Sequence, residues 1–94
     1  MGATIRAEYR AERPRIRIAG TVRVIRQDPI GGMPALQADL CEGPGGVQLI
    51  WLGRVSIPGI EPGSTVVAEG RLGVRRGRAT MFNPRYRLAS SDAS

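Results

Sequence analysis

Short runs of β-branched residues, separated by glycine and proline, are the feature that most constrains how this chain can fold. Val and Ile together number fifteen against six Leu, and thirteen Gly and seven Pro interrupt them about every ten residues. Valine and isoleucine favour extended backbone, whereas Gly and Pro end regular elements at turns. The pattern therefore predicts an all-β domain built from short strands.

The first predicted strand, residues 15–24, shows the clearest alternation. Its even positions are apolar or Gly, and its odd positions are mostly polar, with Arg15, Arg17 and Arg23 among them. Alternation with a period of two buries one face of a strand and exposes the other. Gly20 interrupts the inner face, as expected where a strand bends sharply.

Four further strands are predicted at residues 35–42, 47–52, 65–74 and 79–88, with an interruption of the last at Asn83-Pro84. The second and third strands form a hairpin, and residues 75–78 form the turn between the fourth and fifth. The connection over 53–63 holds two Pro-Gly pairs and cannot be a regular helix. A long connection after the third strand and a glycine inside the first predict a five-stranded Greek-key barrel, with an SH3-like barrel as the alternative. We expect a charged lead-in or arm over 1–14, the domain over 15–88 and a disordered tail over 89–94.

Positive charge is concentrated towards both ends of the chain. All fourteen basic residues are arginines, against eight acids and no His, so the formal net charge is +6. Residues 1–26 carry a net +5, residues 27–70 a net −4 and residues 71–88 a net +6. This excess indicates an anionic partner, most often nucleic acid. GC-rich coding is an alternative reason for arginine over lysine, but it does not explain where the arginines lie.

Several classes of chemistry are excluded or disfavoured. The absence of His and the single cysteine, Cys41, exclude the usual zinc sites, His-based triads and an internal disulfide. One cysteine also indicates a reducing, cytoplasmic setting, and no apolar run approaches a membrane span. The acids are scattered without the spacing of a metal or acid–base site. We therefore expect no enzyme activity, no metal, no cofactor and no membrane partner, and we interpret Cys41 as an inert structural thiol.

Four ordered segments resemble OB-fold nucleic-acid-binding domains. They are Gly20–Val24, the turn and strand over 42–52, the Pro-Gly segment over 57–63 together with Glu69–Leu72, and the closing segment 81–86. The combination is most similar to anticodon-binding-like OB domains, the wedge domain of RecG-type DNA helicases and small stand-alone bacterial OB-fold proteins. The turn departs from the family's Asp-Gly-Thr-Gly by having Glu42 and Pro44, and the capping helix is short or absent.

This resemblance implies a binding face across the second and third strands, flanked by the loops that join strands one to two and four to five. Such sites combine arginines on phosphates with aromatic residues that stack on bases. The candidates for phosphate contact are Arg23, Arg54, Arg75, Arg76 and Arg78. The candidate stacking residues are Trp51 and Phe82, although Trp51 is in phase with Val47 and Leu49, which favours the core. Tyr86 is interpreted either as a stacking residue or as a hydrogen-bonded cap.

Placing the charges on this fold predicts an off-centre site. The outward arginines of the first strand are expected near Arg71 and Arg75, on the side of strands one, four and five. Asp39 and Glu42 make the second and third strands acidic, and Ile50 and Leu52 are expected as an outward apolar stripe. The leading hypothesis is a non-enzymatic module that binds single-stranded or branched DNA mainly through phosphates, with RNA as a weaker variant. The alternative is a protein-interaction or oligomerisation module without a nucleic-acid role.

Overall fold

The computed structural model describes residues 13–89, which form an all-β fold of seven strands without a helix. The strands are β1 (Arg15–Gln27), β2 (Ala35–Glu42), β3 (Gly45–Leu52), β4 (Thr65–Arg71), β5 (Gly73–Arg75), β6 (Arg78–Phe82) and β7 (Arg85–Leu88). The predicted all-β class is confirmed. The expected lead-in over 1–14 and tail over 89–94 lie almost wholly outside the described residues.

Two of the five predicted strands are each divided in two. Asn83 and Pro84 separate β6 from β7, as predicted, because Asn83 has a φ of 52° and proline has no amide hydrogen to donate. Leu72 separates β4 from β5, which the sequence did not indicate. Its amide donates to the carbonyl oxygen of Pro14 at 2.9 Å rather than to a neighbouring strand.

The strands form one mixed sheet in the order β5-β6-β3-β2-β1-β4-β7. All neighbours are antiparallel except β3 and β6, which run parallel. The long strand β1 pairs with β4 over residues 15–21 and with β2 over residues 21–27. A Cβ atom at Gly20 would collide with the carbonyl oxygen of Cys41, so glycine allows β1 and β2 to approach closely where β1 changes partner.

The core lies between the inward sides of β1, β2, β3, β4 and β6. Its buried residues from the strands are Val22, Leu36, Ala38, Leu40, Val47, Leu49, Trp51, Val66, Ala68 and Met81. The connection over 53–64 adds Ile57 and Ile60, which are about 95% buried, so this irregular segment covers one end of the core in place of a helix. The Val22 amide donates to the Ser64 carbonyl oxygen, and the Gly63 amide donates to the Val22 carbonyl oxygen, both at 2.8 Å. These two hydrogen bonds hold the connection against β1. Burying an aliphatic side chain contributes about 1.5–3 kcal/mol, which explains why the connection is ordered without regular structure.

Candidate functional site

The outward side chains of β2, β3 and β6 form what we call the central face. Inward Leu36, Ala38 and Leu40 leave the intervening positions of β2 pointing outward, and the register places Gln37 beside Ile50 and Asp39 beside Gln48. Strand β6 extends the same face, because Thr80 pairs with Gln48 and Phe82 with Ile50. The central face is therefore the face on which the sequence resemblance implies binding.

A tight turn between β5 and β6 carries three arginines to the rim of this face. Arg75 pairs with Arg78, which leaves Arg76 and Gly77 as the two turn residues. Their φ angles are 54° and 77°, as a type I′ hairpin turn requires. Gly tolerates this conformation, whereas an arginine in it is strained by about 1–2 kcal/mol. The residue at the tip is thus not the one that turn stability favours.

The turn overhangs a recess of about 380 Å³ on the central face. The residues that line it are Arg26, Asp28, Pro29, Gln37, Gln48, Arg75, Arg76 and Arg78. Asp28 and Pro29 belong to the loop between β1 and β2, and the last three arginines to the turn between β5 and β6. The recess therefore lies between two loops that flank the strand surface, and it gathers four guanidinium groups around one opening.

Asp39 joins two of these arginines. Its Oδ1 atom accepts a hydrogen bond from Arg26 Nη2 at 3.4 Å and forms an ion pair with Arg78 Nη2 at 3.3 Å. Its side chain is 20% exposed, so it lies below the arginines rather than on the surface. With Asp28 and Asp39 against four arginines, the recess keeps a net charge of +2. The charged residues of β2 and β3 are acids alone, Asp39 and Glu42, as predicted, but arginines from neighbouring elements surround Asp39 and make the recess positive.

Two buried glutamines form the floor of the recess. Gln37 and Gln48 are 5% and 4% exposed. Gln48 Nε2 donates to Gln37 Oε1 at 3.1 Å, and Gln37 Nε2 donates to the backbone carbonyl of Asp28 at 3.1 Å. This chain of hydrogen bonds ties β3, β2 and the loop after β1 together beneath the arginines.

The two aromatic candidates, Trp51 and Phe82, differ in exposure. Trp51 is 5% exposed and belongs to the core, where its Nε1 donates to the Pro84 carbonyl at 3.1 Å. Its ring meets that of Tyr86 edge to face, with centroids 5.7 Å apart. Trp51 therefore has no open ring face for a base, and its core placement follows from the phase that it shares with Val47 and Leu49. Phe82 is 41% exposed and points outward at the edge of the central face.

Two other expectations about exposed groups are resolved by contacts. Tyr86 donates its hydroxyl to the Pro58 carbonyl at 2.8 Å, in agreement with the capping interpretation. Ile50 is fully buried and Leu52 is half-buried. Ile50 shares the outward phase of Gln37 and Phe82, as expected, but it is covered on the central face, so no apolar stripe is exposed at Ile50.

A second group of arginines occupies the outward side of β4 and its neighbours, which we call the lateral face. Its members are Arg15, Arg17, Arg71, Arg85 and Arg87, arranged around Glu69. Arg15 Nε lies 3.7 Å from Glu69 Oε2, and three of these arginines border a recess of about 240 Å³. Inward residues of β2, β3 and β4 share one core, so the lateral and central faces point away from each other.

The predicted basic side of strands one, four and five is present as the lateral face, but it does not include Arg23 or Arg75. Arg15 pairs with Arg71, whereas Arg23 lies at an irregularity in the β1–β2 pairing, with its Nη1 3.9 Å from Cys41 Sγ. Arg75 leaves the lateral side because β5 pairs with β6 and not with β1. The arginines are thus divided between two faces, and the larger recess lies on the central one.

Of the predicted phosphate-contact residues, the structure brings together Arg75, Arg76 and Arg78. Arg23 lies on the neighbouring part of β1, and Arg54 is exposed in the connection after β3 without a described contact to the recess. Sequence reasoning missed Arg26 because the first strand was ended at Val24, whereas β1 continues to Gln27 past an irregularity at Arg23. The alternation resumes in the opposite phase after that irregularity, with Ile25 against the core, and this would have placed Arg26 outward.

Among residues 13–89 no cluster of three or more His, Cys, Asp or Glu side chains is arranged to hold a metal ion. The same part of the chain contains no helix of the length and apolar character needed to cross a membrane. The chemical groups of the site are guanidinium donors around a recess whose floor is made of side-chain amides.

Comparison with protein-family models and with curated proteins finds no match to this chain.

Proposed function

We propose that this chain is a non-enzymatic OB-fold module that binds single-stranded or branched DNA on the central face, mainly through phosphates. Support for the fold comes from the strand pairings. Strand β1 pairs with β4, β4 continues past Leu72 into β5, β5 pairs with β6, and β6 runs beside β3. If β4–β5 and β6–β7 each act as one strand, this order of neighbours is the one expected of a five-stranded Greek-key barrel, which supports the proposed fold.

The observation that carries the functional proposal is the recess with four arginines between two flanking loops. In OB folds the ligand crosses the second and third strands between these loops, and here the loops supply Asp28, Pro29 and the Arg75–Arg78 turn. Guanidinium groups bind phosphate oxygens through paired donors. Within residues 13–89 neither Arg75 nor Arg76 has an ion-pair partner, so both are available to a ligand.

The aromatic content of the central face argues for a phosphate-dominated mode. Phe82 is the exposed aromatic side chain there, since Trp51 is in the core. Base stacking contributes about 1–3 kcal/mol per base, so one aromatic residue supplies a small part of a typical affinity. We therefore expect binding that depends steeply on salt.

A fluorescence anisotropy titration with a labelled single-stranded oligonucleotide at two salt concentrations tests the proposal. We expect saturable binding at low salt and a marked loss of affinity at the higher concentration, because phosphate neutralisation releases counterions. A branched DNA and an RNA of the same sequence, added as competitors, rank the ligands. Absence of binding at low salt would contradict the proposal.

The alternative, a protein-interaction or oligomerisation module, is still favoured by the low aromatic content and by the absence of a helix among residues 13–89, but two surface features no longer support it. Asp39 is paired with arginines, and Ile50 is buried. Light scattering across a concentration series distinguishes the two functions. A stable oligomer whose size is unaffected by oligonucleotide would favour the alternative.

A further inference from the structure

The hydrogen bonds on the recess floor fix the orientation of both glutamine amides. Oxygen and nitrogen of an amide are normally assigned from the hydrogen-bond network. The Asp28 backbone carbonyl can only accept, so the group of Gln37 that faces it is the Nε2 donor. Gln37 Oε1 then faces Gln48, which must present its own Nε2 as the donor. Gln48 Oε1 is thereby left as the outer end of the relay.

Gln48 Oε1 is an acceptor without a donor inside the described part of the protein. The Gln48 side chain makes one hydrogen bond within residues 13–89, and Nε2 is the donor in it. Oε1 makes none, and protein atoms do not enclose it completely. The residue is 4% exposed and lines the recess, so this oxygen opens into the recess. Polar groups in such positions are normally satisfied by a partner. The relay also prevents Gln48 from turning its amide to offer nitrogen instead.

The rim above this oxygen has the opposite hydrogen-bonding character. Arg75, Arg76 and Arg78 present donors alone, and they carry positive charge. A matching ligand therefore has anionic acceptors at one end and an N–H donor at the other. A nucleotide has this arrangement when its phosphate lies at the rim and its base points to the floor. The volume of about 380 Å³ is near the lower end for ligand sites, which suits one nucleotide unit.

We propose that the recess reads one base of the bound strand, with Gln48 Oε1 accepting a hydrogen bond from an exocyclic amino group. This inference rests on the proposed single-strand binding and adds base preference to it. The amino group of cytosine or adenine projects from the base edge as a donor, whereas thymine presents a carbonyl oxygen at the corresponding position. Thymine has no amino group on this edge, and its single donor, the ring N3–H, is flanked by two carbonyl oxygens that are acceptors like Gln48 Oε1. The recess thus favours amino-bearing bases over thymine.

The decisive experiment compares two oligonucleotides that differ by one functional group. The first is an oligodeoxycytidine, and the second carries pyrimidin-2-one, which is cytosine without its amino group. Both have the same backbone charge, so the arginines at the rim contribute equally to each. We expect the unmodified protein to bind the cytosine strand about 5-fold more tightly or better, the lower end for a specific base contact.

Gln48→Met provides the variant test because methionine has a similar length and no amide oxygen. We expect this variant to bind the cytosine and pyrimidin-2-one strands equally, with a thermal unfolding curve recorded to verify folding. The comparison in the unmodified protein stands without the variant if the variant does not fold. Equal and measurable binding of both strands by the unmodified protein would overturn the base-reading inference and leave the proposed function intact. Absence of binding to either strand would overturn both.

Discussion

Removing the two unpaired arginines of the turn should weaken DNA binding by an amount that depends on salt in a calculable way. The double variant Arg75→Thr/Arg76→Asn removes both charges and keeps the hairpin. Threonine suits a strand position, and asparagine accepts the φ of 54° that Arg76 adopts. Turn strain should therefore fall, and the midpoint of thermal unfolding should stay equal or rise. A loss of DNA affinity in this variant is then not caused by unfolding.

The magnitude follows from counterion release. For single strands the slope of log K against log salt changes by about 0.7 for each neutralised phosphate, so removing two contacts should make it shallower by about 1.4. If the contribution of these contacts vanishes near 1 M salt, the variant should lose about 25-fold in affinity at about 0.1 M salt. The loss should shrink to about 5-fold at about 0.3 M salt. Fluorescence anisotropy over this range measures both quantities.

Arg85→Thr/Arg87→Thr is the matched control, because it removes the same charge from the lateral face. The two faces point away from each other, and exposed charges further apart than the Debye length of about 10 Å at 0.1 M salt are largely screened. We expect the control to lose about twofold in affinity and to keep the slope of the unmodified protein. Equal losses in the two double variants would refute the assignment of binding to the central face. They would show that affinity follows net charge alone.

Three further results are expected. Gly20→Ala should lower the free energy of unfolding by about 2–3 kcal/mol because the new methyl collides with a backbone carbonyl, and the midpoint of a thermal melt should fall by roughly 10–20 °C. Gly45→Ala, whose Cβ would have its nearest neighbour at 3.8 Å, is the neutral control, and equal melts would contradict the close approach of β1 and β2 at Gly20. Trp51→Phe should lower the free energy of unfolding measured by chemical denaturation by about 1–3 kcal/mol, because it leaves the Pro84 carbonyl unpaired. DNA affinity should not change, and a large affinity loss in the folded variant would mean that the ring contacts DNA. Phe82→Leu should weaken single-strand binding by about 1 kcal/mol or more in anisotropy without shifting the melt, whereas unchanged affinity would remove Phe82 from the interface.

Much of the local structure could be predicted because it depends on neighbouring residues. Alternation predicted the bounds of β2, and the breaker Asn83-Pro84 predicted the division of the last strand. The phase of Trp51 with Val47 and Leu49 favoured the core, where the structure places it. The predicted end of the first strand at Val24 was wrong because the irregularity at Arg23 reverses the phase of alternation. Gly and Pro mark turns in a sequence, but no residue type marks a reversal of phase.

The position of the candidate site could be predicted in part. The Arg75–Arg78 turn was identified because a charged tip between two extended runs is visible in the sequence. Its surroundings were not, since Arg26, Gln37 and Gln48 come from two other strands and reach the turn through strand order. Asp39 was interpreted as a free acid for the same reason. Its two arginine partners are 13 and 39 residues away along the chain.

By itself, the sequence determined an all-β chain and an excess of arginine, marked Gly20 as a special position in the first strand and favoured the core for Trp51. Each of these follows from a local property: backbone preference, the space that a side chain needs, alternation or formal charge. The tertiary structure alone decided that the arginines divide between two faces and that the central face is basic rather than acidic. The physical reason is that electrostatic potential and hydrogen-bond satisfaction depend on distances through space, which strand pairing sets. The break at Leu72 carries the second half of one predicted strand to a different partner, and Arg75 and Arg76 move with it to the recess above Gln48.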